Sequence, residues 1–524
     1  MDRRGFVYGV AAMAVTRGGA DAAGLNLEEA TLADLGRQMA AGRLTSHALT
    51  EWYLARIAEL DKKGPKLGAV IEVNPDALAI AVARDRERKA KGARGFLDGV
   101  PILIKDNIDT GDKMQTTAGS LALAGSRAKR DAFVVERLRE AGAVILGKTN
   151  LSEWANFRST HSVSGWSGRG GQTKNPYALD RNPCGSSAGS AVGVAANLCA
   201  VAVGTETDGS VTCPASVNGI VGVKPTVGLV GRSGIIPISH SQDTAGPMAR
   251  TVRDAAILLG AMTGVDGRDD ATRPQLGHVA RDYTKFLDPG GLKGARIGVE
   301  RRFFGASAES DRVMEAALDE MKRQGAELVD PANLATHGQF DQDEMEVLLY
   351  EFKADLNKYL AERGAGVKSL AEVIAFNRAH AKAEMPWFGQ ELMERAQEKG
   401  PLSEKAYRDA REFCLGLSRT QGIDAVMAKW RLDAIVAPTA GPAVMTDYVL
   451  GDGAWATCSA PAAVAGYPHV TVPAGMVRGL PVGISFFGPA WSEGVLLRLA
   501  YAFEQATAAR KRPGFAAAAN LGPA

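Results

Sequence analysis

Residues 184–226 read CGSSAGSAVGVAANLCAVAVGTETDGSVTCPASVNGIVGVKPT. Both ends of this stretch are small and polar: Gly185-Ser186-Ser187-Ala188-Gly189-Ser190 at one, Thr205 to Ser210 at the other. An apolar segment rich in alanine and valine, Ala191 to Val203, joins them. Small residues let the backbone approach a ligand closely and leave N–H groups free to converge on one charge. Two such turns on either side of a buried segment can bring two serines together. That layout suits nucleophilic attack on a carbonyl, with backbone amides holding the oxyanion. A glycine–serine cluster taken alone reads as a loop, so the surrounding sequence decides.

Upstream, Gly99-Val100-Pro101-Ile102-Leu103-Ile104-Lys105-Asp106-Asn107 is a short apolar strand ending in a lysine. By itself Lys105 reads as a strand-end surface charge; beside a serine pair it becomes a candidate buried amine. GKTNLSEWANF (147–157) and PAAVAGYPHVTVPAGMVRGLPVGISFFG (461–488) complete the pattern. These motifs, in this order, resemble the amidase signature family, and the resemblance runs from about Thr31 to about Ala508. It implies an α/β fold: a large mixed, twisted sheet covered by helices on both faces. It implies Ser210 as nucleophile, Ser186 as bridge and Lys105 as base, acting through an acyl-enzyme. It places a cis peptide between Gly185 and Ser186, and an oxyanion hole at the N–H groups of Thr207, Asp208, Gly209 and Ser210. No cofactor and no metal are called for. An ordinary lysine, with a pKa of ~10.4, is protonated at neutral pH and useless as a base, so desolvation must lower it.

The chain departs from the common family text, GTDxGGS followed two residues later by arginine. Glu206 stands for the aspartate, Asp208 for the first glycine and Thr212 for the arginine. The catalytic serine is kept, so the departures bear on substrate choice. Together with MQTTAGSLAL (114–123) and WANFRS (154–159), they most resemble the bacterial peptide amidases, which remove the C-terminal amide of peptides and release ammonia. On that resemblance Trp154, Asn156, Phe157 and Trp166 are candidates for the substrate groove, with core packing as the alternative for the aromatics. Asn156 is the substrate hydrogen-bonder of the set. A carboxylate at Asp208 would repel a free C-terminal carboxylate and accept a hydrogen bond from a primary amide. General aliphatic or aryl amide hydrolysis stays open, as does the oligomeric state. Two further classes are weighed. One is a component of a tRNA-dependent amidotransferase, which an export signal and the lack of a basic face oppose. The other is a scaffold without chemistry, which intact Lys105, Ser186 and Ser210 oppose.

The 524 residues can bury a large core, and a formal charge of +2 is too balanced to argue for nucleic acid. No apolar run reaches the ~18 residues of a membrane span. The five cysteines (184, 199, 213, 414, 458) show no zinc spacing. Cys199 reads as core, and Cys184 and Cys213 read as small packing residues rather than catalytic thiols. Arg3-Arg4, the apolar stretch Phe6–Val15 and Ala20-Asp21-Ala22 read as a twin-arginine export signal cleaved after Ala22. The amidase domain would then span 23–524 in a periplasm or outside the cell; the alternative is a disordered cytosolic N-terminus.

Two other motifs fail on context. GAVILGKT (142–149) fits the phosphate-loop pattern, but a helix precedes Gly142 and the four intervening residues are apolar. GSSAG (185–189) fits a nucleophile elbow at Ser187, but the polar, turn-rich NPYALDRNP (175–183) stands where a strand should lead in. Farther on, ARIGVE (295–300), a helix over 310–324 and 326–329 predict a βαβ unit. Residues 341–430 predict a helical insertion packed on the sheet.

Overall fold

The computed structural model describes residues 25–364, 366–453 and 455–520. The export-signal reading at 1–22 lies outside them.

Thirteen strands are present among the described residues: β1 Val70–Val73, β2 Pro101–Lys105, β3 Val144–Thr149, β4 Trp166–Ser167, β5 Gly171–Gln172, β6 Val201–Glu206, β7 Val221–Lys224, β8 Thr244–Ala249, β9 Arg296–Val299, β10 Glu327–Val329, β11 Ala434–Pro438, β12 His469–Val477 and β13 Leu480–Phe487. Short β4 and β5 form a separate ribbon. The other eleven make one mixed sheet in the order β1-β3-β2-β6-β8-β7-β12-β13-β11-β9-β10, flanked by helices on both faces. β2 runs parallel to both β3 and β6, whereas β6, β8, β7, β12, β13 and β11 alternate antiparallel. β9 and β10 are parallel across the helix Ala308–Arg323, the βαβ unit expected from sequence.

β2 is covered on both sides, so its sequence PILIK has no polar alternation. Continuous burial forces its last residue, Lys105, into the interior as well: it is 0% exposed. GAVILGKT is the passage from the helix Phe133–Glu140 through a turn into β3, and Lys148 is buried within that strand.

The central stretch becomes the helix Ala188–Ala195, strand β6, and the helix Thr212–Val217. Its small residues answer to close packing. At Gly204 in β6, a Cβ would stand 2.7 Å from Ser187 Oγ. At Gly185 it would stand 2.2 Å from Ser152 Oγ. Neither position has room for a side chain; at Gly204 the serine turn lies directly on strand β6, and at Gly185 it lies against the loop that follows β3.

Residues 341–430 are helical as expected, beginning with the helix Asp341–Arg363 and ending with Asp424–Trp430. Their packing matches the expectation only in part. Leu348, Leu349, Phe352 and Leu392 form an apolar cluster with Trp154, Phe157, Ile236 and Ile238, which belong to loops beside the serine stretch. The first part of the insertion therefore roofs those loops, while its last turns meet the sheet as expected: Ile423 and Val426 share a buried cluster with Ile435 and Ala437 of β11 and Phe487 of β13. The helical period showed an amphipathic face, but only tertiary contacts determine what covers it.

Candidate active site

Lys105 Nζ lies 2.7 Å from Ser186 Oγ, 2.8 Å from Thr205 Oγ1 and 3.2 Å from the Thr205 carbonyl. Thr205 is the penultimate residue of β6, next to β2 in the sheet, so the parallel pairing delivers these contacts. Asn107 Nδ2 donates to the same Thr205 hydroxyl at 3.0 Å and fixes it. Desolvation lowers the Lys105 pKa to about 7, against the opposing pull of the Asp243 and Glu206 carboxylates. A neutral amine has two N–H bonds and one lone pair. Thr205 takes both donors, which leaves the lone pair for the Ser186 hydroxyl.

The Gly185–Ser186 peptide is cis, as expected. Ser187 N donates to the Ser210 carbonyl at 3.1 Å, joining the two serine turns. No hydrogen bond joins the Ser186 and Ser210 hydroxyls among the described residues; Ser210 instead faces a cavity of about 300 Å³ together with Thr207, Asp208 and Gly209. The N–H groups of Thr207, Asp208, Gly209 and Ser210 lie outside helix and strand, and none donates to a described protein acceptor. Gly209 takes φ +74°, a conformation that keeps this turn open at little cost for glycine.

Two of the departures from the common text meet each other here. Glu206 Oε2 accepts from Val211 N at 2.7 Å, Thr212 N at 2.9 Å and Thr212 Oγ1 at 3.2 Å. A carboxylate thus caps the helix that follows Ser210, where negative charge is favoured. The third departure, Asp208, lines the cavity, and its Oδ1 has no partner. Burial raises its pKa, while the neighbouring Ser459 hydroxyl pulls it down and Glu206 adds to the rise.

Asn156 and Phe157 line the cavity; Trp154 and Trp166 do not. Trp154 is 2% exposed and packs under the insertion, and Trp166 stacks edge-on to Phe388 beneath the Arg158 guanidinium. Trp154, Ala155 and Asn156 have φ of 50°, 54° and 73°. Three successive side-chain-bearing residues in the left-handed region cost about 1–2 kcal/mol each, and packing of Trp154 and Phe157 sustains the turn. The turn leaves Asn156 Nδ2 on Ser164 Oγ at 3.1 Å and Asn156 Oδ1 without a partner.

Cys184 and Cys213, read from sequence as packing residues, are joined in a disulfide that lines the cavity. Spacing alone could not pair them, because the segment between them folds back through a helix and a strand. Cys199, Cys414 and Cys458 are free and buried.

Sequence reasoning missed Asp452, Trp455 and Ser459, which close the cavity from a segment between β11 and β12. No motif marks that segment. It also missed Gln242, whose Nε2 bridges Glu344 of the insertion at 2.8 Å and the Thr207 carbonyl at 3.4 Å. His240, Glu351 and Asp355 bring ligand atoms within 4.8 Å of one another. Protein groups already occupy them: His240 Nδ1 lies 2.8 Å from Asp355, and Glu351 accepts from Ser239, Ser241 and Tyr407. They latch the loop before β8 to the insertion. His469 is fully buried in β12 against Ser485, its pKa depressed by burial to about 3.

Residues 48–497 match the protein family described as Amidase. The structure is similar to that of a peptide amidase from Stenotrophomonas maltophilia, with 54% identity, a TM-score of 0.88, and coverage of 93% of this chain and 99% of that one. A probable amidase of Arabidopsis thaliana is 45% identical over 94% of this chain and 93% of its own length. A glutamyl-tRNA(Gln) amidotransferase subunit from Halorhodospira halophila is 35% identical over 92% of this chain and 98% of its own. With these likenesses spanning nearly the whole fold, the chain belongs to the amidase signature family of amide hydrolases.

Proposed function

We propose that this chain removes the C-terminal primary amide of peptides, releasing ammonia through an acyl-enzyme on Ser210. The observation that carries the reading is the contact of buried Lys105 with Ser186 at 2.7 Å, beside a cavity that reaches Ser210. Neutral Lys105 takes the Ser186 proton while Ser186 takes that of Ser210, and Ser210 Oγ attacks the amide carbon. The two serine hydroxyls are not bonded at rest, so the relay requires them to come within hydrogen-bond reach as substrate binds. The oxyanion would be met by the free N–H groups of 207–210. The proton returns along the same relay to the leaving nitrogen, the C–N bond breaks and ammonia departs. Water then attacks the ester, and the relay delivers its proton back to Ser210, leaving the carboxylic acid.

The unpartnered Oδ1 atoms of Asn156 and Asp208 favour a primary amide, whose NH₂ offers two donors. A free carboxylate offers none and would face Asp208 with like charge. The similarity to a peptide amidase supports the same choice. The export reading of Arg3-Arg4 is kept as part of this proposal; a disulfide at Cys184–Cys213 suits an oxidising compartment.

The test is ammonia release by the purified single chain from a dipeptide amide, beside the same dipeptide with a free carboxylate and a longer peptide. Ammonia from the amide alone, with internal bonds intact, is expected. Cleavage of internal bonds, or no ammonia, would overturn the substrate assignment.

A further inference from the structure

We propose that the Cys184–Cys213 disulfide is a positioning element of the catalytic centre: it sets the spacing between the turn that carries Ser186 and the loop that carries Ser210. The proposal rests on the roles given to those serines above. The bridge closes a sequence separation of 29 residues, and both serines lie inside that ring, each close to one of its ends. Cys184 immediately precedes Gly185 and Ser186; Cys213 is the second residue of the helix Thr212–Val217, just past Ser210. Both cysteines line the substrate cavity and are nearly buried, at 3% and 2% exposure, against Val217, Ala440 and Ala443.

Other links between the two turns are weaker. One is the backbone bond from Ser187 N to the Ser210 carbonyl. Another is Asn218, whose Nδ2 donates to the Pro183 carbonyl at 2.8 Å and to the Pro214 carbonyl at 2.7 Å. These contacts can hold the fold when the bridge is absent. They reach Cys184 only through its backbone, at the Pro183–Cys184 peptide, whose carbonyl Asn218 holds and whose N–H donates to Asn182 Oδ1, and they leave its side chain, on a residue with φ +55°, to the bridge. The Ser186 and Ser210 hydroxyls must meet across a gap that no resting hydrogen bond spans. A misplacement of about 1 Å in such a relay costs on the order of 10²-fold in rate. The covalent link therefore serves turnover rather than assembly.

The oxidised enzyme is the competent form. A dithiol reduces it by thiolate attack on one sulfur, which breaks the S–S bond and forms a mixed disulfide. The second thiol closes the reagent into a cyclic disulfide. Two electrons and two protons pass to the protein, which ends with two cysteine thiols.

The experiment compares wild type, wild type reduced with dithiothreitol in graded urea below its unfolding transition, and the Cys184→Ser/Cys213→Ser double variant. Alkylation and mass analysis of the denatured wild type should find three thiols before reduction and five after. With far-UV circular dichroism showing folded protein, kcat for a dipeptide amide should fall at least about tenfold in both the reduced and the double-variant enzymes, while KM changes much less. A role confined to stability would lower the melting temperature and leave kcat unchanged. Reoxidation should restore the reduced wild type, and the double variant should not respond to dithiol. Five thiols in the untreated protein, or a folded bridge-less enzyme with kcat within about twofold of wild type, would overturn the proposal. If the double variant does not fold, the reduced wild type decides alone. Ser210→Ala, run beside them, separates the two readings: if it stays active, the assignment of the serines fails, whatever the disulfide does.

Discussion

If neutral Lys105 is the base, the rate below neutrality measures its titration. The buried amine titrates at about 7. An ordinary lysine would be neutral in only about one molecule in 2,500 at pH 7; at a pKa of 7 about half are. On the acid side kcat/KM should therefore fall tenfold for each pH unit below about 7, and it should level off above about 8. The sign follows from protonation: acid converts the base to ammonium, so activity is lost as pH falls through the limb. Asp243→Asn adds a directional check. The Asp243 carboxylate is the foremost charge favouring the ammonium form, so its removal should move the limb to lower pH, with the plateau set by how well the introduced amide keeps the bond to Thr207. The assay is discontinuous colorimetric ammonia release from a dipeptide amide between pH 5 and 9.5, in buffers of constant ionic strength. A profile flat across pH 5 to 9 would refute the lysine-base reasoning, and so would a limb that moves up in Asp243→Asn.

Ser210→Ala should abolish turnover, since no acyl-enzyme can form; Ser186→Ala should retain a residual rate, because nucleophile and oxyanion donors survive, each donor of this kind being worth ~10²–10³-fold in related chemistry. Equal, complete loss in both would show that Ser186 does more than relay. Lys105→Ala should lose most activity and recover part of it at high pH, where hydroxide replaces the amine; a pH-independent residue of activity would argue against a base role. Among the seven histidines, no single replacement should match Ser210→Ala, and His469 in particular is spoken for by Ser485; one that did would favour a histidine-based triad. Asp208→Gly should narrow the preference for amide over free carboxylate, and an unchanged substrate profile would remove Asp208 from the selection. Changing Arg3 and Arg4 to lysine should retain the enzyme in the cytoplasm, and undiminished periplasmic activity would count against a twin-arginine signal.

Much of this molecule is legible in one dimension because its chemistry is local. PILIK announces a strand buried on both faces, and the small residues of the 184–226 stretch announce backbone packed against a sheet. Lys105, Ser186 and Ser210 are legible in sequence through the resemblance of their motifs to the amidase signature; composition alone leaves Lys105 a strand-end surface charge and the serine run a loop. The helical span 341–430 is set by its own period and matches its observed ends. What sequence could not supply is every relation between separate runs. The insertion covers the loops beside the cavity because its apolar face meets Trp154, Phe157 and Ile238 there, far away along the chain. Lys105 has a lowered pKa only because neighbouring strands bury it, and its contacts with Thr205 exist only in the packed sheet. Glu206 and Thr212, two departures from the family text, compensate each other through one carboxylate. Cys184 and Cys213 bond because the chain between them returns to its starting point. Local composition fixes the backbone path of each run; burial, charge coupling and covalent cross-links depend on distances through space, and those exist only once the runs have packed.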